Sequence, residues 1–427
     1  MDIKPRTVAV FLLILGFVYL LVKAFTFYWI IIFMNIVLIF INSVFLFAYL
    51  DVKPSARQAA RPLPSISVVV PNYNGERTLL RCIEAVKAMG YPGEKEIIVV
   101  DDGSKDSSLS ILSEIKGIKV IAKEKNAGKA AALNTGIAKA KGELIVTIDS
   151  DTFPEKDCLE KMAPCFEGDV GAVTGFVRAY NAEGIIERIQ AVEYLVSFGF
   201  FQAILSDIDA IYVTPGPMSV YRADVLRKIG GYDEKNITED MEIALRMRKY
   251  GYRIVTCLGA HIYTEVPTTM KHLFRQRVRW YRGKFANTLQ YREMLFNPKY
   301  GEFGMFTFPF SVIVEWCIVL FVFLFVAGNI ESLFNYLNFS VSWLSASGNL
   351  AGLLPSAMYI NPSFYFYVIG GIFYTIFVYI SHGLAGDRLG LRKFPEMALF
   401  ILVYGVFILS VFFVGFFKEI NNSEARW

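Results

Sequence analysis

Cysteine is scarce, and its spacing carries little. There are five (Cys82, Cys158, Cys165, Cys257, Cys317), an odd number, and no Cys-x-x-Cys pair. A disulfide framework or zinc site is therefore not expected, and reduced cytosolic thiols are. Histidine is scarcer still: His261, His272 and His382 stand at no ligand spacing. Charge is thin as well, at 19% of 427 residues where soluble domains carry about 25%. The net charge of +4 is too small to point to nucleic acid, and mild basicity suits a surface lying against an anionic inner leaflet. No internal repeat is present. Hydrophobic residues make up 54% of the chain, so part of it is expected in lipid, and the length suggests about two or three domains.

The missing charge is concentrated in blocks. Between Thr7 and Leu50 only Lys23 is charged, which reads as two spanning helices joined near that lysine, since a span takes ~20 apolar residues. A cleaved signal peptide is the competing reading, because Lys4 and Arg6 precede the run. No small-residue cleavage site follows, and a second apolar stretch comes at once. Three more apolar segments, 305–329, 364–381 and 397–417, bring the expected total to about five spans, with an interfacial or re-entrant piece allowed within 332–360. The 330–363 connection contains no Lys or Arg, whereas 382–396 contains Arg388, Arg392 and Lys393. The positive-inside rule then places 382–396 and the large central region in the cytosol, 330–363 outside, and the C-terminus outside. Glu315, within the third span, serves either a saccharide path or a polar pairing within its helix or between helices.

The central region alternates strands and helices. Ser65–Val70, Glu96–Val100, Lys119–Ala122 and Glu143–Ile148 read as strands, with helix-period stretches near 76–89, 106–115 and 128–140. This is the pattern of an α/β domain with βαβ units and a mostly parallel sheet, whose ligands bind beyond the carboxyl ends of the strands. Polar sets follow each run: Pro71-Asn72-Tyr73-Asn74-Gly75-Glu76, Asp101-Asp102-Gly103-Ser104, Asn126-Ala127-Gly128-Lys129 and Asp149-Ser150-Asp151. Singly these are ordinary turn formers and caps; at one edge of one sheet they would converge on a cleft. There Asp149 and Asp151 suit a ribose hydroxyl and a hard cation, magnesium or manganese, completed by substrate phosphates. Asp102, beside Asp101, suits a base N–H, Tyr73 offers a stacking face, and Lys129 at a helix start suits a phosphate.

These residues resemble the family-2 glycosyltransferases of GT-A fold, specifically the membrane polysaccharide synthases that make hyaluronan, chitin, poly-N-acetylglucosamine and cellulose. The likeness spans nearly the whole chain. It implies an α/β GT-A (Rossmann-like) cytosolic domain fused to a helical transmembrane region. Asp101-Asp102-Gly103 is similar to the aspartate motif that contacts uracil, Asp149-Ser150-Asp151 to the DxD that holds metal and diphosphate, and Gly128-Lys129-Ala130 to a donor-contacting element. The resemblance extends donor contacts to Pro71, Tyr73, Asn74 and Glu76. Thr238-Glu239-Asp240 resembles the TED motif, whose aspartate is the base, with Glu239 beside it. Gln276-Arg277-Val278-Arg279-Trp280 resembles QxxRW: Gln276 and Arg279 belong with the donor, and Trp280 supports the acceptor. Gly216-Pro217 resembles the acceptor loop of hyaluronan and chitin-oligomer synthases. No Trp-Gly-Thr-Arg gating element occurs in the chain.

The implied reaction is one-step inversion, with Asp240 taking a proton from the acceptor hydroxyl while the metal and Arg279 stabilise the leaving diphosphate. On turn chemistry alone, Thr238 and Asp240 equally suit capping of a helix over Met241–Tyr250. The implied partners are a UDP-sugar, N-acetylglucosamine first, a saccharide or lipid-linked acceptor, and the bilayer of the plasma membrane. Lys271–Lys284, basic with interleaved apolar residues, reads as an amphipathic interface helix. Ile185–Leu205 reads as a structural helix beneath the acceptor site. The expected layout is 1–50 a transmembrane hairpin, 51–64 a linker, 65–265 the GT-A domain, 266–304 interface helices and 305–427 the C-terminal transmembrane region.

Overall fold

The computed structural model describes residues 16, 27–52, 63–348, 363–387, 390 and 394–421. The first helix of the expected N-terminal hairpin and most of the expected linker lie outside these residues. Its second helix is α1 (Phe27–Asp51).

β1 (Ile66–Asn72) is buried along its whole length. Side chains of a strand alternate between faces, and here both faces are covered. Val68 and Val70 join one core with Leu79 and Ile83 of α2 (Leu79–Ala88), while Val69 joins another with Leu133 and Ile137 of α4 (Lys129–Lys139). β2 (Lys95–Asp101) does the same, with Ile97 and Val99 on one side and Ile98 and Val100 on the other. Continuous β-branched runs in the sequence have this cause: strands buried on both faces need no polar alternation.

α3 (Ser108–Glu114), β3 (Lys119–Ala122), β4 (Leu144–Ile148), β5 (Thr152–Pro154), α5 (Cys158–Met162) and β6 (Val170–Ala179) follow. Then come α6 (Ile185–Asp207), β7 (Met218–Arg222), α7 (Ala223–Ile229), α8 (Glu239–Lys249) and β8 (Arg253–Thr264). The strands form an eight-stranded sheet in the order β3-β2-β1-β4-β7-β6-β8-β5. The sheet is mixed rather than mostly parallel: β1–β2, β1–β4, β2–β3 and β6–β8 are parallel, whereas β4–β7, β6–β7 and β5–β8 are antiparallel. The departure matters for the site. Because β7 runs against β4, with Ile148 opposite Met218, it is the start of β7 that meets the carboxyl end of β4. β1 has β2 on one side and β4 on the other, so the strand order reverses there, and a crevice opens at such a reversal.

Outside the sheet, α9 (Met270–Gln290), α10 (Phe308–Ser347), α11 (Ser363–Leu384) and α12 (Gly405–Ile420) complete the described chain. α12 is entered through Phe394–Leu399 and a π turn at Phe400–Tyr404. The expected third span, 305–329, is exceeded: α10 runs 40 residues and stops at Gly348, whose φ of 64° is left-handed. No Gly or Pro interrupts 330–347, so nothing breaks the helix before that glycine. α12 lies alongside α9, with Tyr281 and Phe285 against Phe412 and Arg282 paired with Glu419 at 3.2 Å. Among the described residues one helix, α6, is long and apolar enough to cross a membrane, and 56% of its apolar window is buried inside the protein. Asn35–Asp51, Phe303–Cys317 and Val368–Leu384 are shorter apolar helical stretches.

Candidate active site

Two cavities meet at the carboxyl edge of the sheet. The smaller, about 270 Å³, is lined by Pro71, Asn72, Tyr73, Asp102, Gly128, Lys129, Asp149 and Asp151, among others. Tyr73 is 45% exposed, so its ring is open for stacking. Asp102 is deeply buried and already engaged. It pairs with Lys123 at 2.5 Å and accepts from the amides of Ala127 and Gly128, the latter at 2.7 Å. Asp101 does not reach the cavity wall; it accepts from Asn72 Nδ2, Ser104 N and Ser104 Oγ. Asn74 and Glu76 also stay off the wall, accepting from the amides of Lys105 and Ser107. These three fix the loops that frame the cavity. Asn72 Oδ1 is buried without a partner and belongs to the lining.

The larger cavity, about 490 Å³, shares Lys129, Asp149 and Asp151 with the smaller one. Lys129 Nζ lies 2.6 Å from Asp149 Oδ1 and 3.0 Å from Glu239 Oε1, tying the strand-end acids to the start of α8. Burial opposes its charge, but Asp149 and Glu239 more than offset this and hold the ammonium well above the ordinary lysine range. Burial pushes Asp149 up to about 6, and raises Asp151 as well. Burial, then the Glu239 charge, pushes Asp240 up to about 6. Glu239 itself is held low, since Lys129 and Arg279 outweigh its burial. The pattern is that of a site short of positive charge.

Local structure explains the convergence. Asp149 donates its amide to Pro217 O at 3.1 Å, and Glu265 donates its amide to Asp151 O at 3.1 Å. Antiparallel β7 and the end of β8 thus clamp the Asp149–Asp151 segment from both sides. Gly216 sits among the charges: a Cβ there would stand 2.8 Å from Lys129 Nζ and 3.2 Å from Asp149 Oδ2. Thr214 donates both its amide and its hydroxyl to Asp240 O, the hydroxyl at 2.9 Å. Asp240 Oδ1 accepts the Met241 amide at 2.9 Å, and its carboxylate lies in the cavity wall. Thr238, by contrast, stands at the N-cap of α8 but makes no side-chain capping bond. Its Oγ1 accepts from Asn287 Nδ2 at 3.0 Å.

α9 supplies the far wall. Gln276, Arg279 and Trp280 line the cavity, and Gly283 and Asn287 continue the same face at helical spacing. Arg279 donates to Ile237 O at 3.2 Å. Gly283 lets the helix touch the loop before α8, where a Cβ would lie 2.0 Å from Thr238 Oγ1. Gly283 and Asn287 were missed in the sequence; a glycine inside an amphipathic helix is the signal of close approach. Arg277 was also missed, because it occupies a variable position of its motif. It is 1% exposed, pairs with Glu193 of α6 at 2.5 Å, and stands 4.0 Å over the Trp280 ring. Glu315 pairs with Lys284 at 2.7 Å, and both line the cavity. Glu315 therefore has a polar partner on a neighbouring helix, in keeping with the pairing reading.

Among the described residues no group of three or more His, Cys, Asp or Glu is placed to hold a metal. Two carboxylates, Asp149 and Asp151, share the donor-side wall, which fits a hard cation that takes its remaining ligands from substrate phosphates and water.

Residues 67–230 match the family pattern described as Glycosyl transferase family 2. The chain is 31% identical over 287 residues to a poly-beta-1,6-N-acetyl-D-glucosamine synthase of Staphylococcus epidermidis, covering 65% of this chain and 69% of that protein. It is 32% identical over 282 residues to the probable glycosyltransferase YdaM of Bacillus subtilis, covering 61% and 67%. Among solved structures, the mannosyltransferase PcManGT of Pyrobaculum calidifontis, in complex with GDP-Man and Mn2+, superposes with a TM-score of 0.56 at 18% identity over 92% of this chain and 99% of that one. That likeness shows a shared fold, the GT-A-like α/β core. With a relative above 30% identity matched over more than two thirds of its length, this chain belongs to glycosyl transferase family 2.

Proposed function

We propose that this glycosyltransferase moves N-acetylglucosamine from its UDP-activated form to the end of a growing β-linked polysaccharide, with inversion, from the cytosolic face of the plasma membrane. The observation that carries this reading is the junction at Lys129, Asp149 and Asp151, where a nucleotide-sized cavity opens into one lined by Asp240 and Trp280. The choice of sugar is supported by the name of the staphylococcal relatives and by the Gly216-Pro217 loop.

In this reading Tyr73 stacks on the base, and Pro71 and Asp102 shape its pocket. Asn74, Glu76 and Asp101 act from behind by fixing the loops. Asp149 and Asp151 would hold Mg2+ or Mn2+, which when bound offsets the charge of the diphosphate. Lys129 and Arg279 add fixed positive charge where the leaving group develops its own, with Gln276 beside them. Trp280, Gly216 and Pro217 bound the acceptor. Asp240, poised by burial near the working pH, accepts the proton of the attacking hydroxyl, while Glu239 fixes Lys129. Attack opposite the departing diphosphate turns an α-linked donor into a β-glycoside.

The layout supported is 1–50 as a hairpin, 51–64 as a linker, 65–265 as the catalytic domain, 266–304 as interface helices and 305–427 as the C-terminal membrane region, about five spans in all. Lipid contact is supported by Phe33, Phe40 and Phe47 of α1, spaced by seven and about two thirds exposed, at 65%, 67% and 67%. The cytosolic placement of 382–396 is supported by ion pairs from Asp387 to Arg178 and from Glu396 to Arg188, which bring it against the catalytic domain.

A lipid-linked acceptor is the second reading. It is favoured by an apolar cavity of about 580 Å³ between α1, α6, α10, α11 and α12, which shares Glu193, Ser197, Tyr281 and Ile408 with the catalytic cavity. Product sizing separates the two, as a polymer ladder or as a single solvent-extractable glycolipid. For the catalytic assignment the test is Asp240→Asn: donor affinity is retained and transfer falls by about 10²-fold or more. Undiminished transfer would remove Asp240 from the role.

A further inference from the structure

Arg277 is the largest fully buried side chain described. Each of its three guanidinium nitrogens is used. Nη2 donates to Glu193 Oε2 at 2.5 Å, Nε to the Tyr404 hydroxyl at 3.2 Å, and Nη1 to Gln276 Oε1. The Tyr404 hydroxyl in turn donates to the same Glu193 oxygen at 2.7 Å, closing a three-residue ring. One element of the catalytic wall (α9), one buried helix (α6) and the π turn before α12 therefore meet in a single charged knot.

A buried ion pair seldom stabilises a fold more than apolar packing of the same volume. What this knot does hold is a ring. The guanidinium carbon lies 4.0 Å from the Trp280 ring centre, within the range where an arginine fixes an aromatic face. Trp280 and Arg277 line the catalytic cavity, Tyr404 lines the apolar cavity beyond it, and Glu193 lines both. The knot is the partition between the two spaces.

We propose that Arg277, held by Glu193 and Tyr404, is the positioning residue that sets Trp280 as the acceptor platform, and that it ties the platform's orientation to the C-terminal helices through Tyr404. The proposal rests on the acceptor role given to Trp280 above. None of the three residues is given a role on the reacting atoms. They act through the indole, so their loss should alter acceptor use and spare donor use.

The test uses the full chain in lipid nanodiscs, with tryptophan replaced by fluorotryptophan and the Trp280 fluorine resonance assigned by Trp280→Phe. Tyr404→Phe removes one hydroxyl and keeps the ion pair. Glu193→Gln removes the charge, and if that variant fails to fold, Tyr404→Phe still decides. The expected result is a shifted or broadened Trp280 resonance, with KM for a short β-linked N-acetylglucosamine oligosaccharide raised several-fold and KM for UDP-N-acetylglucosamine unmoved. An unchanged resonance overturns the proposal. So does a rise in both KM values together, which marks general damage, or a moved resonance with unchanged acceptor KM, which takes Trp280 out of the acceptor site. Failure of the parent reading is seen separately, as wild-type protein that transfers to no saccharide.

Discussion

At the scale of single residues, the site is governed by too few cations for its carboxylates. Asp149, Asp151, Glu239 and Asp240 face Lys129 and Arg279 in one cavity, and burial raises two of the acids to about 6. The sign of the consequence for catalysis is fixed. A base works only when deprotonated, and the Asp240 carboxyl is neutral below about 6. The rate of transfer at saturating donor and metal should therefore rise with pH through about 6 and level off above it. A steady-state pH profile checks this; a rate flat across that range, or falling as pH rises, would point to another group as base. Asp240 was legible as a candidate from its position after Thr238 and Glu239, but not separable from a capping group. The structure removes one half of the capping reading: the Thr238 side chain makes no capping bond to α8, and its Oγ1 accepts from Asn287 Nδ2.

At the scale of elements, the decisive contact is between α9 and the loop leading into α8. Gly283 brings them so close that any side chain must push them apart, since a Cβ would stand 2.0 to 2.6 Å from three atoms of Thr238. Gly283→Ala should cost about 1–3 kcal/mol of stability through overpacking, and should lower the turnover number more than it alters donor KM. Thermal unfolding with parallel kinetics tests it; wild-type turnover would show that α9 does not position Asp240. β1, β2 and β4 were legible because both their faces are buried, which makes each a continuous apolar run ended by polar residues. β7 and β8 were not, because the antiparallel return is set by partners far away in sequence: Ser219 is opposite Thr147, and Thr264 opposite Thr152. The motif positions of α9 could be read from spacing, whereas Arg277 could not, since its meaning lies in Glu193 and Tyr404. Likewise the length of α10 followed from the lack of a breaker before Gly348 rather than from hydropathy.

At the scale of the whole molecule, the proposed layout joins a cytosolic catalytic domain to helices in lipid. In that layout the ion pairs of Asp387 and Glu396 with the catalytic domain and the basic residues Arg388, Arg392 and Lys393 of the sequence favour one connection on the domain's side. The same layout puts the Lys- and Arg-free end of α10 on the other. Gly390→Cys should react with an impermeant maleimide only from the catalytic side of oriented vesicles, and Ser345→Cys only from the opposite side. Labelling of both from one side would contradict the layout. The central claim remains inverting transfer of an activated sugar at the Lys129–Asp149–Asp151 junction. The most direct measurement is nucleoside diphosphate release by the purified full chain, with Mg2+ or Mn2+, across a panel of nucleotide sugars, with the product's anomeric linkage read by NMR. The expected result is strongest release from UDP-N-acetylglucosamine and a β-linked product. Release from no nucleotide sugar, or an α-linked product, would contradict it.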